Sequence, residues 1–386
     1  MSTALANAQP ARLRVAMEIR DWIERGRYGR GEALPTEMAL TTTFGVSRPT
    51  VRAALALLEE EGLIGRDRSR ARTVLRQAAA PISPLANTVA LLADGAGEIP
   101  GYQKQSGWWI YVQTNATATI RAAKCHTLFL DLESLDDGLL HLVTSQRPRG
   151  LIDMRSATLG ERGLRVVRQV RQAGIPVVVC GHEPTLAEFD MVGSDHALGA
   201  YQLTRWLLER GHRHILRTFP RSPRDCFGQA WVGQRQTGFE RAMHEAGIAP
   251  LPLLTYQAFG REPATAEEAD YAARAVAGYL VEQFRAHPEI DTIMVPSDGI
   301  VYQTATACRI LGREPGRDIT IVGYDNYWRD CLERSWEAYI PPVTVDKRNP
   351  ELGTALAQML LDRAAGRLGM APLQRLIEPL LLEIHP

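Results

Sequence analysis

Eight short apolar runs recur between residues 88 and 325, separated by amphipathic stretches: TVALLA, TLFLDL, RGLIDM, PVVVC, FDMVGS, HILRTF, TIMVPS and TIVGYD. Runs of this kind fit strands buried on both faces, as in parallel sheets covered by helices. Eight exceed one small sheet. The pattern therefore predicts α/β architecture with two doubly wound lobes, and such folds open a ligand cleft at the carboxyl ends of their strands.

The chain has 386 residues, which suits this body plus one small domain. Residues 77–86, QAAAPISPLA, hold two prolines and no periodic apolar pattern, so they read as a linker. The expected division is a domain over 1–76, the linker, and the two-lobed body over 87–386. Residues 1–80 carry 13 arginines against nine acids, and since the whole chain is neutral the remainder is net negative. A basic head on an acidic body fits a nucleic-acid-binding module joined to a part that does not bind DNA. No apolar run reaches the ~18–20 residues of a membrane span, and the start, MSTALANAQPARLR, lacks the flank and apolar core of a signal peptide. The expected location is cytoplasmic, with no membrane partner. Cys125, Cys180, Cys226, Cys308 and Cys331 are widely spaced and read as reduced core thiols.

Within the head, residues 12–25 form a first helix whose apolar stripe runs through Leu13, Met17 or Ala16, Arg20 and Ile23, widened by Ile19 and Trp22. Turn formers in 26–35 end it. Thr36 caps a second helix and Glu37 sits at its positive start. Phe44-Gly45-Val46 turns the chain, Ser47 caps a third helix, and Pro49 falls in a first turn that has no backbone bond to lose. On that helix Val51, Ala54, Leu55 and Leu58 share one face, Arg48 and Arg52 lie beside it, and Ala53 and Ala56 keep the outer face small. This is a helix-turn-helix able to approach a major groove closely. The following LIGRDRSRARTVL reads as two strands around a tip rich in arginine, with Arg66, Arg68, Arg70 and Arg72, a wing able to reach phosphates or a narrow minor groove.

The run ALPTEMALTTTFGVSRPTVRAALALLEEEGLIGR resembles the GntR-type winged helix, with its LPSE, GVSR-x-TVR and L-x-x-EGL pattern. The resemblance implies that Arg48, Thr50 and Arg52 contact DNA while the wing tip at 69–71 touches the backbone. The expected DNA-binding set is Thr36, Ser47, Arg48, Thr50, Arg52, Arg68, Ser69 and Arg70. The chain departs from the family at Met38, where arginine is usual, and at Ser69 and Ala71, where glycines are usual, which puts a phosphate contact from the second helix in doubt.

In the body, EFDMVGSDHALGAYQLTRWLLERGHRHI, RQTGFERAMHEAG, PSDGIVYQTATACRILGREPGRDITIVGYDN and PPVTVDKRNPELGTALAQMLLDRAAG occur in the order of matching segments in the LacI/GalR-type sensor domain, which they resemble. That domain shares the fold of periplasmic sugar-binding proteins. The resemblance implies that Arg235 and Asp325 reach the cleft and bind the effector. Guanidinium donors and a carboxylate acceptor can orient a polyol; a structural Arg–Asp ion pair is the competing reading. Ser297 stands where the family has asparagine and joins the expected ligand set, while Asp298 supports its loop. Trp231, read as sitting in the same loop as Arg235, and Trp108 are expected to face a sugar ring, with Trp109 and Trp328 as further aromatic choices. The histidine segments GHRH and CGHE lack converging ligands, so no metal is expected.

These readings converge on a ligand-responsive regulator of transcription: a homodimer on double-stranded operator DNA, repressing carbohydrate-utilisation genes until a sugar effector relieves it. A non-sugar effector is the alternative. GntR-type heads also occur on aminotransferase-like bodies that bind pyridoxal phosphate, but of Lys104, Lys124 and Lys347 none lies in a cofactor context, and no GxSxG, P-loop or HExxH occurs. The expectation is a protein without cofactor that is not an enzyme. A pure solute receptor would need no such head.

Overall fold

The computed structural model describes residues 10–385 except 25, 67–70, 76–82, 84, 94–107, 132–134, 155–159, 222–229, 258–262 and 264. The chain divides into two units, Met1–Ala86 and Asn87–Pro386.

The first unit is a three-helix head with a two-stranded wing: α1 (Ala11–Glu24), α2 (Glu37–Phe44), α3 (Arg48–Glu60), β1 (Ile64–Arg66) and β2 (Arg72–Val74). β1 and β2 pair antiparallel, Ile64 opposite Val74. Its core joins Val15, Ala16, Ile19 and Ile23 of α1 to Leu40 and to Val51, Ala54, Leu55 and Leu58 of α3. The α1 stripe is rotated from the sequence expectation: Leu13 and Met17 are exposed, and the i, i+4 row Val15, Ile19, Ile23 packs instead. Gly45, at φ +61°, makes the left-handed turn that lets α3 follow α2 directly.

All eight apolar runs are strands of the second unit. The first lobe runs β3 (Thr88–Leu92), α4 (Trp108–Ala122), β4 (His126–Leu130), α5 (Asp137–Ser145), β5 (Gly150–Asp153), α6 (Gly160–Gln172), β6 (Val177–Cys180) and β7 (Asp190–Ser194). The second lobe runs α7 (His196–Glu209), β8 (Ile215–Arg221), α8 (Ala230–Glu245), β9 (Leu254–Gln257), α9 (Ala266–Ala286), β10 (Thr292–Met294), α10 (Val301–Ile310), β11 (Thr320–Tyr324) and β12 (Val343–Asp346). The chain then returns through α11 (Asn349–Ala364) and β13 (Gln374–Ile377) to the first lobe, and ends as β14 (Leu380–Glu383) on the second. The two six-stranded sheets have the orders β13-β7-β6-β5-β3-β4 and β14-β12-β11-β10-β8-β9, parallel except for β14. No helix among the described residues is long and apolar enough to cross a membrane.

Three crossings, after β7, β12 and β13, thus join the lobes, and the helix after each of the first two packs on the lobe it enters. Leu352, Leu356 and Leu360 of α11 pack with Val89, Ile152 and Val192 of the first lobe. Leu203 and Leu207 of α7 pack with Phe239, Val322 and Val343 of the second. Both seams need glycine. A Cβ at Gly353 would lie 2.1 Å from Val112 O, and one at Gly238 would lie 2.0 Å from Ala197 O.

Candidate functional sites

In the head, Glu37 organises the candidate DNA-reading face. Thr36 caps α2 by accepting from Ala39 N at 3.2 Å, which leaves Glu37 in the first turn facing α3. Arg48 Nε reaches Glu37 at 3.0 Å and Arg52 Nη2 at 3.3 Å, while both arginines stay largely open, at 65% and 61% side-chain exposure. Arg72 binds Glu37 at 2.8 Å and Glu59 at 2.6 Å. Hydrogen bonds from Arg72, then Arg52 and Arg48, hold the Glu37 carboxyl at a pKa of about 2.

This changes two sequence readings. Arg72 is a half-buried strut between α2, α3 and the wing, because two carboxylates claim it, and does not stand free on a hairpin tip. Ser47 occupies the cap position of α3 but makes no side-chain bond to the helix backbone; its hydroxyl meets Thr50 Oγ1 at 2.8 Å. Met38 is exposed beside Glu37 on α2. Arg68, Ser69 and Arg70 lie outside the described residues, as does the Arg66 side chain.

In the body, the carboxyl ends of β8, β10 and β11 border a cavity whose wall includes Arg217, Phe219, Trp231, Arg235, Pro296 and Tyr324. Trp231 and Arg235 lie one turn apart on α8, not in a loop as the sequence reading had it; the helix begins at Ala230. Arg235 is buried. Its guanidinium lies 4.6 Å from the Trp231 ring and 3.5 Å from that of Tyr324, donates to Pro296 O at 2.7 Å, and meets His196 Nδ1 at 3.3 Å. Burial, then the Arg235 charge, depress the His196 pKa, so this ring accepts from Arg235 in its neutral form.

Asp325 follows β11 with φ +93°, and Asn326 has φ +57°, two left-handed residues in succession at the cleft. Backbone bonds hold the turn: Asp325 N donates to Val345 O at 2.8 Å, and Asn349 Nδ2 to Asp325 O at 3.4 Å. The Asp325 carboxylate lies 2.8 Å from Lys347 Nζ and 3.9 Å from Arg235 Nη2. Sequence reasoning weighed Lys347 only as a cofactor lysine. It is a buried hinge cation, and the available signal was its place in the segment that crosses back to the first lobe. Burial pulls its pKa down while Asp325 opposes the fall.

Ser297 is partly buried, and its hydroxyl is engaged by Tyr327 OH. Asp298 is fully buried and ties three segments together, accepting from Tyr327 N at 2.9 Å, Trp328 N at 3.2 Å and Thr344 Oγ1 at 3.0 Å. Burial and the nearby Asp325 push its pKa up to about 8. Trp328 is buried in that loop. Trp109 lies partly buried on α4; Trp108 opens the same helix, and its side chain lies outside the described residues. Of the expected ligand set, the structure brings Arg235, Asp325 and Trp231 together and sets Ser297 on a neighbouring loop.

The lobes also touch across the cleft. Glu183 accepts from Ala230 N, the first residue of α8, at 3.1 and 3.3 Å. Tyr111 of α4 donates to Asp330. Of the two histidine segments, GHRH is held by its strand neighbours: His212 Nδ1 meets Thr292 Oγ1 at 2.8 Å, and Asp291 accepts from the backbone of Arg213 and His214. Cys125, Cys180, Cys308 and Cys331 are buried. Cys226 lies outside the described residues.

Residues 11–74 match the profile of bacterial regulatory proteins of the gntR family, and residues 204–382 that of the periplasmic binding protein-like domain. The HTH-type transcriptional regulator GntR of Escherichia coli strain K12 is 26% identical over 211 residues, 52% of this chain and 54% of that protein. The HTH-type transcriptional regulator CelR of Thermobifida fusca is 27% identical over 199 residues, 50% of this chain and 52% of that protein. The chain therefore spans about half the length of these curated relatives. Among solved structures, a transcriptional regulator CelR–cellobiose complex superposes with a TM-score of 0.58 at 19% identity, covering 90% of this chain and 98% of that one.

Proposed function

We propose that this chain, which joins a GntR-type winged helix to a periplasmic-binding-protein-like body, is a transcription regulator whose occupancy of operator DNA is set by a sugar bound in the hinge cleft. The observation that carries this reading is the cleft itself. A buried guanidinium and an indole line one cavity, and a carboxylate on a strained turn lies 3.9 Å from that guanidinium, which supports a donor, an apolar face and a nearby acceptor for a polyol ring. A structural neighbour is a complex with cellobiose. Arg48 and Arg52, with Thr50 on the same exposed face, supply the DNA contacts, and Thr36 and Ser47 place them. A homodimer on a two-fold operator is the expected assembly, and the sugar relieves repression. Only a difference in the sugar's affinity for the DNA-bound and DNA-free states can shift occupancy, so tight binding alone would not regulate.

Thermal unfolding of the purified protein against pentoses, hexoses, uronic acids and small oligosaccharides tests the cleft. A sugar at 100 times its dissociation constant stabilises by ~2.7 kcal/mol. Arg235→Ala and Asp325→Asn are expected to abolish that rise and leave DNA binding in place. A panel with no rise, or a rise unchanged in both variants, contradicts the sugar reading.

A further inference from the structure

Arg217 stands inside β8, where its neighbours Ile215 and Leu216 are fully buried and apolar. It is itself buried, at 7% exposure. A guanidinium in that position is unfavourable unless something neutralises it. Among the described residues its hydrogen-bond acceptor is the neutral amide oxygen of Gln236, whose amide in turn donates to Glu240 at 2.6 Å. Burial and the adjacent Arg235 charge pull its pKa down to about 10. The carboxylates nearest the cavity are otherwise engaged: Asp325 lies against Lys347 and Arg235, and Asp298 accepts from two backbone amides and Thr344. Among the described residues, the cavity wall holds two guanidinium groups and no carboxylate. Thr218 of the same wall keeps a buried hydroxyl with no protein partner among those residues.

We propose that Arg217 and Arg235 together bind an anionic group, a carboxylate or a phosphate, and that the effector is accordingly an acidic sugar. The inference rests on the sugar reading above and narrows it. Planar guanidinium forks bind carboxylate and phosphate in two-point fashion, and two of them buried on one wall favour an anion over a neutral hydroxyl. The missing negative charge is then the ligand's own. Binding relieves the repulsion between the two cations, which gives the ligand leverage that a neutral sugar lacks.

Calorimetric titration of the full chain with matched sets of common pentoses and hexoses in neutral, uronic, aldonic and phosphorylated forms tests this, with citrate as a non-sugar anion. At least one acidic sugar is expected to bind tenfold or more tightly than its neutral parent. Arg217→Met is expected to weaken that acid by at least about tenfold, with Arg217→Lys retaining part of the affinity. Because Met removes a buried charge that no carboxylate contacts among the described residues, the unliganded Arg217→Met protein is expected to unfold at the same temperature or higher; a merely structural arginine would give a fall. Neutral sugars binding as well as their acids, or an Arg217→Met protein that holds the acid undiminished, overturns the inference and leaves the sugar reading intact. Citrate binding that Arg217→Met abolishes, with no sugar bound, upholds the anion site and overturns the sugar reading. No binding by any member overturns both.

Discussion

Arg48 and Arg52 in the head stand 65% and 61% exposed and share a carboxylate, Glu37; Arg217 and Arg235 in the body are buried on a wall that carries none among the described residues. The residue type is the same and the electrostatics are opposite. In the head, water and salt screen the charges, and exposed pairs of this kind contribute little to stability. Glu37 orients the two side chains at small cost, and on the proposed function a DNA phosphate or base edge takes its place. In the body, little solvent reaches the guanidinium groups, so most of their neutralisation must come from fixed groups or from a bound ligand. The head is thus built for exchangeable contacts whose strength varies with salt, and the cleft for a few contacts that count heavily.

The largest expected effect breaks the buried side of this comparison. Asp325→Asn leaves Lys347 and Arg235 without their shared carboxylate, and removing one member of a buried pair destabilises by about 3–5 kcal/mol. Urea unfolding checks this, and adding Lys347→Met to Asp325→Asn should recover part of the loss; a loss below about 1 kcal/mol would mean that solvent reaches the pair. On the exposed side, Arg48→Ala or Arg52→Ala should weaken DNA binding by about 1–3 kcal/mol with folding stability little changed, and a lost phosphate contact should reduce the salt slope by about 1. Binding isotherms at several salt concentrations separate base from phosphate contacts.

A smaller effect concerns Glu37. Its folded pKa of about 2 lies below the ordinary 4.5, so its contribution is fully present above pH 4.5 and drains away as the pH falls toward 2. Glu37→Gln should flatten that stretch of the stability curve by about 1 kcal/mol, the surface setting screening the rest. An acid limb identical to wild type would remove Glu37 as the anchor. The smallest effect belongs to Tyr111→Phe, which deletes the cross-lobe bond to Asp330; effector affinity should fall by about 0.5–1 kcal/mol, and titration calorimetry reads it.

The parts legible in the sequence are those with local signals. The eight apolar runs became strands because central parallel strands are apolar on both faces. β13 and β14 escaped that pattern: Leu376 and Leu380 are about half exposed, as edge positions are. The α1 stripe was misplaced because Leu13 and Met17 keep helical spacing while facing water. Arg235 and Asp325 were found through motif resemblance, whereas Arg217, Lys347 and Glu183 acquire their setting only when β8, the return crossing and α8 come together. Trp231 was set in a loop because nothing in GQAWVGQR marks where α8 begins. The pairing of Arg72 with Glu37 and Glu59 was likewise invisible, since it joins residues 35 and 13 positions apart.

On the proposed function, occupancy of the cleft changes occupancy of DNA. Fluorescence anisotropy of a DNA fragment bound by the wild-type protein, with and without a saturating sugar that raises its unfolding temperature, tests this directly. The expected result is a DNA dissociation constant at least about fivefold weaker with the sugar, a coupling of about 1 kcal/mol or more, and no change in the Arg235→Ala protein. Identical DNA affinity with the cleft full and empty would contradict it.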